Sequence, residues 1–126
     1  MQLIKNIETP IRDFGKGLEL QILLDKESGA KNLDVGIVNI APKCETGFHV
    51  RDFEEIIFLL DGSGQVVTQD GEIATLCKND CILIPIGVKH KHVNNTDKPL
   101  KQLYIFAPQA GESIQRQLRD LKILKK

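Results

Sequence analysis

A chain of 126 residues with 17 basic and 17 acidic side chains is long enough for one hydrophobic core, and its charges leave no net field to draw it to nucleic acid or an anionic membrane. No apolar run approaches the ~20 residues that span a bilayer, and the opening Met1-Gln-Leu-Ile-Lys-Asn-Ile-Glu-Thr-Pro10 lacks the basic segment and apolar stretch of an export signal. The expectation is one cytoplasmic domain over 1–126, with Cys44, Cys77 and Cys81 as reduced, small buried residues rather than a disulfide framework.

Short strand-like runs follow one another along the chain. Leu18-Leu20-Ile22-Leu24 alternate on one face, and Leu33-Val35-Ile37-Asn39 alternate with Val38 and Ile40 opposite. Then come Glu55 to Leu60, Gln65 to Thr68, Ile73 to Leu76, Cys81 to Ile84, Val88 to Val93 and Leu100 to Phe106. Each is strand length and rich in branched residues, and most are bounded by Gly, Asp, Asn or Pro. Asp61-Gly-Ser-Gly64 and Asp70-Gly71 suit turns, the second a tight hairpin. Many short strands with little helix between them predict an antiparallel barrel or sandwich over about 17–107. From 111 to 125 the apolar residues Ile114, Leu118, Leu121 and Leu124 fall at helical spacing, with Glu112 first and Lys122, Lys125 and Lys126 last, an order that suits a helix dipole. A short amphipathic C-terminal helix is predicted there.

The chemistry concentrates in two segments, Gly47-Phe-His-Val-Arg-Asp-Phe-Glu-Glu55 and Pro85-Ile-Gly-Val-Lys-His90-Lys-His92-Val-Asn94. His49 and Glu55 are six residues apart, ~20 Å if extended, whereas ligands of one metal lie a few ångströms from each other. The chain must therefore reverse between them, with 51–54 as a turn between two antiparallel strands. Strand alternation puts His49 and Arg51 on one face and His90 and His92 on another, with Pro85-Ile-Gly87 as the turn before the latter. If both faces look inward, His49, Arg51, Glu55, His90 and His92 converge. Lys89 and Lys91 then face solvent, Glu54 and Asp52 are turn and surface residues, and Asn94 ends its strand. Phe48, Phe53, Phe58, Tyr104 and Phe106 suit packing, as does His92 on the plainest reading.

These residues resemble the cupin family. His49-Val-Arg51-x3-Glu55-x6-Gly62 is similar to the first cupin motif, H-x-H-x3or4-E-x6-G, with arginine for the second histidine and Gly47 out of register. Asn79-x5-Pro85-x-Gly87-x-x-His90-x3-Asn94 is similar to the second motif, with asparagine for its first glycine. The resemblance is to compact, single-domain, RmlC-like bacterial cupins, and it implies an all-β double-stranded β-helix, a jelly-roll barrel, that pairs as a homodimer. It carries the family's metal-ligand role to His49, Glu55 and His90.

Arg51 is the departure, since a guanidinium stays protonated and does not ligate metal. Three arrangements are open. His49, Glu55 and His90 form a facial triad with Arg51 at the rim pairing with a substrate anion; or His92 takes the missing histidine's place; or Arg51 salt-bridges Glu55 and the metal site is lost. The resemblance implies a divalent metal (Fe, Mn, Ni, Co or Zn) and a small anionic substrate, with Arg51 and His92 as the further catalytic residues, in a dioxygenase, isomerase, decarboxylase or lyase. The alternative is a non-catalytic module binding a small organic ligand. No nucleophile constellation, phosphate loop or dinucleotide fingerprint suggests other chemistry.

Overall fold

The computed structural model of the chain describes residues 1–125. A 3-10 turn at Asn6–Glu8 leads into ten strands and one helix: β1 (Ile11–Gly15), β2 (Leu18–Leu24), β3 (Asp34–Ile40), β4 (Glu54–Asp61), β5 (Gly64–Thr68), β6 (Ile73–Leu76), β7 (Cys81–Ile84), β8 (His90–Val93), β9 (Leu100–Ala107), α1 (Glu112–Arg119) and β10 (Ile123–Lys125). They form two antiparallel sheets, a seven-stranded one in the order β10-β1-β2-β3-β9-β4-β7 and a three-stranded one in the order β6-β5-β8. The all-β double-stranded β-helix expected from the resemblance is the fold.

Alternation builds the core. Along β9, Leu100, Gln102, Tyr104 and Phe106 are buried and their neighbours are half-buried. They meet Ile57 and Leu59 of β4, Leu18, Leu20 and Ile22 of β2, Ile40 of β3 and Phe53 just before β4. Val66, Leu76 and Ile84 close the other side. The small sheet is lengthened by the chain from Cys44 to His49, which runs antiparallel to β8 through bridges Glu45 to Val93 and His49 to His90.

The eight strands read between residues 18 and 106 are all present. The ends of the chain differ. β1 precedes residue 17, and the helix stops at Arg119, so that 123–125 form β10 on the edge of β1. An eight-residue helix is marginal by itself, and tertiary bonds decide where it stops. Arg12 Nη1 donates to the carbonyl of Arg119 at 2.7 Å, and the Asp13 amide donates to the carbonyl of Lys122 at 2.8 Å. The open backbone of β1 thus captures the segment that helical spacing would have continued. Leu124 is exposed rather than packed, and Lys126 lies outside the described residues. Cys77 and Cys81 are exposed too, correcting the expectation of burial, while Cys44 is half-buried. Phe48 is also exposed, its ring 5.0 Å from the Lys91 ammonium.

Helix α1 is held to the barrel by a polar clamp. Arg119 donates to both oxygens of Asp25 at 2.6 and 2.9 Å, Gln115 donates to Asp34 at 2.8 Å, and the other Asp34 oxygen accepts from the Ala110 amide at 2.8 Å. Burial pushes the Asp25 carboxyl up, but the Arg119 and Ser28 hydrogen bonds outweigh it and leave the pKa below the ordinary 3.8. A depressed carboxylate contributes stability that is present above its unfolded pKa and lost as pH falls through the folded one. Asp25→Asn is therefore expected to lose about 2–4 kcal/mol at neutral pH, the scale of a broken, mostly buried pair. Urea unfolding of both proteins near neutrality and again well below pH ~3.8 checks the sign, since the gap should shrink in acid.

Candidate metal centre

His49 and Glu55 reach the same point from different sheets. β4, which carries Glu55, pairs with β7 and β9, whereas the segment carrying His49 pairs with β8. Residues 50–53 are therefore a crossing between sheets, not the hairpin turn that reach alone suggested. The amides of His49 and His90 each donate to the other's carbonyl, at 2.8 and 2.9 Å, and the Gly87 amide donates to the carbonyl of Arg51 at 3.0 Å. Gly87 has φ +83°, a conformation that glycine adopts without strain, and so completes the turn that starts β8. The two motif segments are in this way stitched to each other by backbone.

Asn94 does more than end a strand. It is 1% exposed, and its amide nitrogen donates to the carbonyls of Ile40, Ala41 and Lys98 while its oxygen accepts from Thr96. That bond set fixes the end of β8 against β3. Thr46 Oγ1 accepts from the His92 amide at 2.9 Å and sets the register between the small sheet and the segment leading to His49.

The side chains converge inside the barrel. Ligating atoms of His49, Glu55, His90 and His92 all lie within 4.8 Å of one another. Glu55 Oε1 stands 3.3 Å from His90 Nε2 and 3.8 Å from His49 Nε2, and Glu55 Oε2 is 2.9 Å from His92 Nε2. Glu55, His90 and His92 are buried and His49 is partly open to the pocket. His92 is thus part of the cluster rather than a packed bystander.

Tautomers follow from the outer hydrogen bonds. His90 Nδ1 is 2.8 Å from the Val88 carbonyl and His49 Nδ1 is 3.0 Å from the Gly47 carbonyl. A carbonyl only accepts, so each Nδ1 carries a proton and each neutral ring turns a lone pair on Nε2 toward Glu55 Oε1. Buried Glu55 Oε1 and His90 Nε2 have no hydrogen-bond partner. Three electron-pair donors aimed at one another in a buried place fit a cation, and the carbonyl partners are the orienting contacts that metal-ligating histidines use. With nitrogen and carboxylate donors the set suits first-row divalent ions.

Protons compete with a cation for this place. Burial is the largest influence on Glu55 and pushes its carboxyl up, but the imidazoles of His49, His90 and His92, which donate to it whenever their Nε2 is protonated, hold it well below the ordinary carboxylate range. Burial pulls the His90 imidazole down, and the Glu55 carboxylate and Val88 carbonyl reverse that to leave it raised. For His92 burial wins and the imidazole is lowered.

Arg51 makes no ion pair with Glu55 among the described residues, which removes the geometry on which a site blocked by that bridge would rest. Its guanidinium lies 6.0 Å from the Phe53 ring centroid, and its buried Nε has no partner. Burial, the largest influence, lowers its pKa against the pull of Glu55 and Asp52, yet a guanidinium stays charged. It borders a narrow pocket with His49, Glu55, His92 and Thr46 at one end. Leu18, Leu20, Val38, Ile57, Phe106 and Leu118 supply apolar wall. Gln102 and Tyr104 line it as well. Gln102 escaped the sequence reading although its signal was there, a lone amide at an inward position of the alternating run Leu100 to Phe106.

Comparison with known proteins gives the same frame. The chain is 29% identical over 92 residues to gentisate 1,2 dioxygenase 1 of Aquipseudomonas alcaligenes, a match that covers 68% of this chain and 26% of that protein. The chain thus spans about a quarter of that relative's length. Among solved structures it is similar to the polyketide cyclase RemF of Streptomyces resistomycificus, with TM-score 0.77, 21% identity, and 87% of this chain and 81% of that one covered. It is also similar to an RmlC-like cupin of Shewanella frigidimarina, with TM-score 0.75, 23% identity, and 90% and 96% covered. The family model for the cupin domain, Cupin_2, matches residues 36–106, which include both motif segments, β4 to β8, most of β3 and β9, and all four residues of the buried cluster. By that match the chain belongs to the cupin family.

Proposed function

We propose that this protein is a metal-dependent cupin enzyme acting on a small anionic metabolite, with a divalent iron, manganese, nickel, cobalt or zinc ion held by His49, Glu55 and His90. The observation that carries this reading is the meeting of three electron-pair donors at a buried point where Glu55 Oε1 and His90 Nε2 lack any other partner. A bound divalent ion would supply Lewis-acid polarisation of a substrate carbonyl or carboxylate, and a redox-active one would let dioxygen serve as the oxidant. Arg51 binds and orients the substrate's anionic group with its planar fork. His92 holds a proton on Nε2 for Glu55 Oε2, and its buried, unpartnered Nδ1 is free to accept one from substrate. The apolar walls exclude water. The similarity to a gentisate dioxygenase favours oxidative chemistry, while isomerase, decarboxylase or lyase reactions use the same donors.

A second arrangement is favoured by the four-way proximity of the ligating atoms. In it His92 is a fourth ligand, replacing the histidine that Arg51 displaced from the family motif. Cobalt(II) titration of the metal-free protein, read by visible absorption, tests both. His92→Ala is expected to weaken cobalt binding about 10- to 100-fold without abolishing it. An unchanged ligand-field spectrum in that variant assigns His92 to orienting Glu55, and a changed one assigns it to the metal. Wild-type protein that gives no cobalt spectrum would contradict the proposal itself.

The proposal extends to a cytoplasmic homodimer. Leu83 and Ile86, on and just after edge strand β7, are exposed at 53% and 57%, and an apolar open edge favours pairing. Sedimentation of a monomer at micromolar concentration would refute the dimer.

A further inference from the structure

Gln102 is an inward amide on β9 to which the proposed reaction gives no task. It is 5% exposed, it borders the same pocket as Arg51, and among the described residues its amide has no protein hydrogen-bond partner. Its amide atoms keep access to the pocket rather than being sealed in the core, so their hydrogen bonds are made there.

The strand registers place it. Glu55 lies opposite Phe106, Ile57 opposite Tyr104, and Leu59 opposite Gln102. On the other flank Gln102 faces Val38, which faces Leu20. From the metal end the pocket thus steps from the Glu55 and Phe106 rung, past Ile57 and Tyr104, to Gln102, Val38 and Leu20. Four residues of strand put the first and last rungs ~14 Å apart at the backbone, less where side chains lean together. One end offers the charged fork of Arg51, whose Nε is buried and unpartnered. The middle offers apolar surface. The far end offers a neutral donor and acceptor.

Arg51 is the only lysine or arginine lining the pocket among the described residues. One guanidinium matches the single charge and two oxygens of a carboxylate.

We infer that Gln102 is a specificity-determining residue, reading a neutral hydroxyl or carbonyl at the far end of an apolar monocarboxylate whose carboxylate is held by Arg51. The inference rests on the proposed role of Arg51 but not on the metal. Isothermal titration of phenylacetate against its para-hydroxy derivative, and of hexanoate against its terminally hydroxylated derivative, tests it on both chelator-treated and cobalt-loaded protein. In at least one pair the hydroxylated acid is expected to bind about three- to tenfold tighter, the size of one net hydrogen bond. Gln102→Leu and the closer isostere Gln102→Met should erase that preference while keeping the affinity for the plain acid. Arg51→Gln should weaken every acid about tenfold or more. Equal binding within both pairs, a preference that survives in either Gln102 variant, or no binding of any of the four acids would overturn the inference. If only the metal proposal fails, the Arg51-dependent preference persists in chelator-treated protein, so the two failures are told apart.

Discussion

Glu55→Ala and His90→Ala proteins are expected to bind no divalent metal at one equivalent per chain, with affinity reduced by more than about 100-fold. That floor comes from the contacts behind a ligand, whose loss alone costs about 10- to 100-fold; removing a ligand removes more. Glu55 Oε1 is the point on which His49 and His90 converge, so its loss leaves two lone pairs without their shared anionic partner. His90 is fully buried and its ring is held by the Val88 carbonyl, so its loss removes a pre-oriented nitrogen, and the neighbouring His92 Nε2 is already engaged by Glu55 Oε2. Glu55→Gln gives a shape-preserving control, which keeps the volume and removes the charge. Equilibrium dialysis with zinc or manganese measures the loss, and circular dichroism establishes that the variants fold.

Gly36→Ala is expected to be a strongly damaging single-methyl change in the barrel. A Cβ there would collide with Tyr104 Cε2, Cζ and Oη, well inside contact distance. Gly36 on β3 lies directly opposite Tyr104 on β9, and the tyrosine ring covers the space that a side chain would fill. The ring cannot yield freely, because it packs against Phe106 with centroids 4.6 Å apart. Overpacking of this kind costs about 2–3 kcal/mol, a fall in Tm of roughly 8–12 °C for a domain of this size. The ring also lines the pocket, so displacing it should lower ligand affinity along with stability. Thermal unfolding checks the first effect, and partial rescue by Tyr104→Leu in the Gly36→Ala background would show that the ring is the obstacle.

The barrel was legible because alternation and turn chemistry agree from Leu18 to Phe106, and a strand buried on one face has little freedom to be anything else. The ends were not, because Ile114 to Leu124 carry helical spacing that extends past the point where Arg12 and the open edge of β1 take over the backbone. The exposure of Cys77 and Cys81 was equally hidden, since the reading rested on the habits of cysteine rather than on their place on the outer face. At the centre, His49, Glu55 and His90 were named from motif spacing, and the structure brings them together. Their route is different, across two sheets rather than around a hairpin, because reach limits distance and not topology. His92 was visible as a neighbour of His90 on one face, but only the fold shows it 2.9 Å from Glu55. Arg51 offered a salt bridge or a free anion site on paper, and the observed geometry leaves its Nε unpartnered.

Metal content by elemental mass spectrometry, on protein purified without chelator or affinity tag, tests the central claim most directly. The account predicts about one equivalent of iron, manganese, nickel, cobalt or zinc per chain, lost in the His90→Ala protein and retained in Gly36→Ala protein that remains folded. No bound metal in the wild type, even after reconstitution, would contradict it and make the barrel a carrier of small organic ligands instead.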